Sequence, residues 1–169
     1  ISLPTADDLL VEGAEDFTVS IASANTTSGA SILLHGTDNA VTTTIVDNDD
    51  ATWSLIGDAS VDEGDTAGYT LSLAGGLQAG ETATINLAVA FPGGTDAAAA
   101  ADFMELFLKD VADSISGRSD LSLSGSTLTF TSSGTAMADL VIGLPTADDL
   151  LVEGPEDFTV SIASANTTS

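Results

Sequence analysis

The chain has 169 residues and sets 26 acids against two bases, Lys109 and Arg118, for a formal net charge of −24. That balance repels phosphate backbones and anionic lipid surfaces, which excludes nucleic-acid binding, and no run of about 18 apolar residues offers a membrane-inserting helix. No cysteine is present, so neither disulfides nor thiolate metal sites can hold a fold, yet an apolar content of 43% suffices for a buried core.

Residues 1–28 recur as residues 142–169 without a gap, at an offset of 141 residues, and differ only at Ser2/Gly143 and Ala14/Pro155. A period of that length is a whole domain rather than a solenoid unit. The expected division is therefore 1–50, the C-terminal part of one tandem repeat, and 51–169, the next repeat without its final strand or strands.

In chain order, an acidic segment leads into a strand over 15–23, with Phe17, Val19 and Ile21 on one face. Asn25-Thr26-Thr27-Ser28-Gly29 reads as a turn, followed by extended segments at 31–35 and 41–47. The β-branched run Val41–Val46 suits a strand far better than a helix. Period-two alternation then predicts strands over 52–56, 68–74 and 82–91, with Gly75-Gly76 in a connection. Residues 96–116 change character: Met104, Leu108, Val111 and Ile115 fall at helical spacing, with Phe103 and Phe107 beside them, and Glu105 and Lys109 form an i,i+4 pair. This is an amphipathic helix inserted between strands, ending at Gly117. Strands resume over 120–123, 127–132 and 136–144. The acidic word then returns and leads into a last strand.

The order of parts resembles the Calx-β family, a β-sandwich repeat found in sodium–calcium exchangers, an integrin subunit and giant bacterial adhesins of the RTX type. Val61-Asp62-Glu63-Gly64 matches the Glu-Gly after its first strand, and Ala101-Asp102-Phe103 is similar to the Asp-Phe of its middle loop. Leu128-Thr129-Phe130 looks like the strand that follows that loop. Asp148-Asp149, Glu153-Gly154-Pro155-Glu156 and Phe158 match the acidic loop and its strand, and Thr43–Asp49 the closing strand with its Asp-rich end. The resemblance covers the chain apart from the helix. It implies an all-β, mainly antiparallel, Ig-like Greek-key sandwich with Ca²⁺ at one pole. Carried over, the second unit's ligands are Glu63, Asp102, Asp148, Asp149, Glu153 and Glu156. Those of the first are Asp7, Asp8, Glu12, Glu15, Asp47 and Asp49. Two bases cannot neutralise so many carboxylates, and clustered acids oppose folding unless a cation joins them; Ca²⁺ takes six to eight such oxygens.

Catalysis is not expected. The one histidine, His35, follows an apolar run and is no part of a Ser–His–acid pattern, and no phosphate-cradling Gly motif occurs. The function expected is a calcium-stabilised extender repeat of a secreted, surface-anchored bacterial adhesin, with neighbouring repeats of the same polypeptide as partners. The alternatives are a calcium-sensing regulatory domain and a carbohydrate- or ice-binding module. Because residues 41–47 carry a closing strand attached to the first copy, strand-swapped self-association is a further expectation.

Overall fold

The computed structural model describes residues 1–90, 97–147 and 157–168. The fold is all-β and mainly antiparallel, with one helix, and divides into two compact units. Unit 1 comprises residues 1–8 and 12–48, and unit 2 residues 9–11 and 49–169.

Unit 1 is a two-stranded antiparallel ribbon of β2 (Glu15–Ser20) and β3 (Ala40–Ile45), in which Phe17 faces Thr43 and Val19 faces Val41. Its Thr18 and Thr42 hydroxyls lie 2.8 Å apart across the ribbon. Residues 31–35 form no strand. His35 instead closes a local turn, its Nδ1 accepting the Asp38 N–H at 3.0 Å.

Unit 2 has two main sheets. One runs in the order β10 (Leu140–Pro145), β5 (Thr66–Ala74), β4 (Thr52–Gly57); the other runs β11 (Thr159–Thr168), β7 (Thr82–Ala90), β9 (Thr127–Thr131), β8 (Leu121–Ser124). Strict alternation drives this, since β5 and β7 bury every second residue: Ala67, Tyr69, Leu71 and Leu73 on one, Ala83, Ile85 and Leu87 on the other. With Leu128, Phe130, Leu140, Ile142 and Leu144 they form one apolar cluster shared by both sheets. At about 25 cal/mol per Å² of apolar area removed from water, such a cluster supplies most of the folding drive.

Helix α1 (Ala97–Ser114) packs on β10, β7 and β8. Phe107 and Val111 are fully buried, Met104 and Ile115 partly so, and Leu106 is exposed. The inward stripe holds Met104, Val111 and Ile115 at the expected helical spacing, with Phe107 beside them fully buried and Leu108 half-buried. The Phe107 ring meets Tyr69 edge to face, with centroids 6.2 Å apart. The helix stops at Ser114, and the turn after it closes at Gly117, in the left-handed region at φ 85°, where the Arg118 N–H donates to the Ile115 carbonyl at 2.9 Å.

A small parallel pair completes unit 2. β1 (Leu10–Val11) lies beside β6 (Gly76–Leu77), with the Gly76 N–H donating to the Leu9 carbonyl at 3.3 Å. Gly75 and Gly76 make the approach possible. A Cβ on Gly76 would lie 2.8 Å from Leu10 Cδ2, and one on Gly75, itself at φ 93°, 2.5 Å from the Asp50 carbonyl oxygen.

Candidate functional site

The strands place the acidic segments. In unit 2, a turn before β5 carries Glu63; it is closed by Asp65 N–H to Asp62 C=O at 3.1 Å, with Gly64 at φ 82°. Thr146, just past β10, clamps this turn. Its N–H donates to the Asp65 carbonyl at 2.8 Å, and its hydroxyl reaches the Asp62 and Asp65 carbonyls at 3.2 and 3.0 Å. Glu63 is thus tied to the residue two before Asp148. Residues Ala165–Thr167 of β11 line a groove with Ala51–Trp53 of β4. That orientation puts the start of β11 at the pole where β4 ends and β5 begins. Both ends of the second acidic segment therefore reach the pole of Glu63.

Asp148, Asp149, Glu153 and Glu156 lie outside the described residues. The backbone of Asp102 is in the first half of α1.

In unit 1 the acidic segment meets the end of the closing strand. The Glu12 N–H donates to Asp47 Oδ2 at 2.7 Å, across 35 residues of chain. Asp7 and Asp8 precede β1, and Glu15 opens β2 opposite Ile45. Asp16 faces Thr44 in the ribbon and accepts its hydroxyl at 2.6 Å. Asp49 is assigned to unit 2 and Asp47 to unit 1.

Among the described residues, no three His, Asp or Glu side chains converge closely enough to hold a metal ion. Carboxylates and backbone carbonyls are the hard oxygen donors that Ca²⁺ takes. The described part of each segment supplies such donors, and one firm contact between them at Asp47, without a gathered cage.

Both cations serve structural pairs. Lys109 donates to Asp113 one helical turn on. Arg118 forks onto Asp120 at 3.1 and 2.6 Å and donates to the Ala138 carbonyl at 2.9 Å. The guanidinium hydrogen bonds hold the Asp120 carboxyl below the usual carboxylate range. Burial is the main cause that raises the Asp110 carboxyl, and burial followed by the nearby Asp58 charge raises the Tyr69 phenol.

Two features escaped the sequence reading. Leu10–Val11 reads as part of an acidic loop, yet forms a strand; the only local signal for it was the Gly75-Gly76 pair that accommodates it. The second is the groove of about 360 Å³ lined by Ala51, Thr52 and Trp53 of one sheet edge and Ile162, Ala165, Asn166 and Thr167 of the other. The buried Trp53 indole N–H has no acceptor among the described residues. No protein-family model matches the chain, and neither does any curated protein or solved structure.

Proposed function

We propose that this chain is a calcium-stabilised extender repeat of a long, secreted surface adhesin, projecting a distal binding region from a bacterial cell. The tandem copy carries the reading: 28 residues return with two changes at the period of a whole domain, which suits an array built for length. The Ig-like Greek-key form of the resembled family belongs to the same proposal. The acid surplus over two bases that are already engaged, and the absence of cysteine, suit a module stiffened by metal outside the cell.

In this reading the acidic segments and the Asp47 end of β3 supply the oxygens, and Ca²⁺ supplies the positive charge that lets the acids approach one another. Extracellular modules hold Ca²⁺ with Kd values of about 10⁻⁴–10⁻³ M. At about 100 times Kd, one site adds roughly 2.7 kcal/mol. For a chain of this size that is about 5–10 °C in Tm. Thermal melts in EDTA and in excess CaCl₂ test it; equal melting temperatures, with Mg²⁺ as a control for ionic strength, refute the calcium reading.

A further inference from the structure

Residues 9–11 read Leu-Leu-Val inside the first acidic segment, and the same letters stand at 150–152 in the second. The residues on either side, 1–8 and 12–48, belong to unit 1, whereas residues 9–11 belong to unit 2, where Leu10–Val11 is β1. The chain therefore passes from one unit to the other three times, after residues 8, 11 and 48. A plain linker between two domains passes once.

Unit 2 holds a seat for this segment. Leu10 lies beside Gly76 and Val11 beside Leu77; Leu77 is buried in the core, and Val11 packs against the same core. Leu9 is 79% exposed, but its carbonyl accepts the Gly76 N–H. Gly76 marks the seat as specific. Unlike Gly75 it is not in the left-handed region, so its backbone conformation does not call for a glycine. The docked strand does: a Cβ at position 76 would stand 2.8 Å from Leu10 Cδ2 and 3.0 Å from the Leu9 carbonyl oxygen. Just past the strand, the Glu12 N–H is held by Asp47 Oδ2 at 2.7 Å, which fixes the point where the chain returns to unit 1.

We propose that the Gly75–Leu77 edge is a docking site for the Leu-Leu-Val strand of the preceding repeat's acidic segment, so that consecutive repeats are joined by a lent strand as well as by their linker. Strand addition draws affinity from main-chain hydrogen bonds and selectivity from places for alternate side chains. Here the bond is Gly76 N–H to Leu9 C=O, and the place is that of Val11 on the core. The inference rests on the tandem-array reading and needs no metal. All tests run in EDTA, so their failure leaves the calcium melts to be judged separately, and equal melts leave the lent strand untouched.

NMR of the full, unsubstituted chain is expected to show nuclear Overhauser contacts between Leu10 and Gly76 and between Val11 and Leu77, with slow hydrogen exchange at the Gly76 amide. Val11→Asp abolishes that protection while the Leu71 and Ile85 amides keep theirs. Val152→Asp, the same change in the second copy, leaves Gly76 protected. Gly76→Val blocks the seat without altering the strand, and gives the same loss of protection at position 76. It also lets the ribbon amides of β2 and β3 tumble apart from those of β5 and β7, read by amide-nitrogen relaxation. Absence of the two contacts in the unsubstituted chain overturns the proposal, as does protection at Gly76 that survives Val11→Asp or is lost with Val152→Asp. So does a ribbon whose tumbling is the same in the unsubstituted and Gly76→Val chains.

Discussion

Phe107→Ala probes whether α1 is part of the core or an appendage to it. Phe107 is fully buried on the inward stripe, between Met104 and Val111, with its ring against the edge of Tyr69. Truncating a buried phenylalanine costs about 3–5 kcal/mol, of which the aromatic pair accounts for roughly 0.5–1.5. Domains are stable by only about 5–15 kcal/mol, so the loss is a large share of the total. At about 2–4 °C per kcal/mol for this chain length, the melting temperature drops by roughly 6–20 °C. Scanning calorimetry measures this directly, and near-UV circular dichroism reports the lost packing around Tyr69. Leu106→Ala, one residue round the helix and 56% exposed, is the control, expected within about 0.5 kcal/mol of wild type. Equal losses for the two variants, or a larger one for Leu106→Ala, would mean that the helix presents a different face and would refute the reasoning.

Other substitutions address the remaining devices. Gly75→Ala combines a left-handed backbone with a Cβ 2.5 Å from the Asp50 carbonyl oxygen, and is expected to lower stability by at least about 2 kcal/mol in urea titrations. Gly80→Ala, left-handed but with open space around it, should cost only about 1–2 kcal/mol, which separates strain from collision. Ser132→Ala removes a buried hydroxyl that donates to the Leu77 carbonyl at 2.8 Å and accepts the Gly134 N–H at 3.0 Å; a loss of about 1–3 kcal/mol should appear in the same titrations. The folded carboxyl of Asp120 lies below its unfolded value, so its pairing stabilises the fold above about pH 4 and is lost as pH falls through the folded value. Asp120→Asn should therefore be less stable than wild type at neutral pH, with the gap closing in melts at progressively lower pH. Asp110 has the opposite sign: its raised carboxyl opposes folding when charged, so Asp110→Asn should stabilise slightly at neutral pH and lose that advantage on acidification.

The sheet strands were legible because alternation over five or more residues has few competing readings; β5, β7 and β9 lie within two residues of their expected bounds. The helix was equally readable: Met104, Val111 and Ile115 of the expected stripe face the core, and Phe107 beside them is fully buried where Leu108 is only half so. Extension at 31–35 was overread: Ile32 and Leu33 are exposed and make no ladder. The pairing of β1 with β6 could not be read at all, because two-residue strands carry no period and their partners are 66 residues apart. For the acidic segments, residue type and order suggested an oxygen site, and the Glu12–Asp47 hydrogen bond joins two of the pieces. Side-chain convergence in space has no local signature, so sequence could name the acids without gathering them.

One of the two changes between the copies, Ser2/Gly143, falls in the ladder of β10 on β5. Ile142 and Leu144 are buried there, while Ile1 and Leu3, the same letters in the first copy, are exposed. Nearly the same letters thus stand in two different surroundings. A Cβ at Gly143 would stand 3.1 Å from Thr66 Cγ2, and Gly143 faces Gly68 in the register. The first copy carries Ser2 at that point. The glycine leaves the Thr66 methyl the room that a side chain would take.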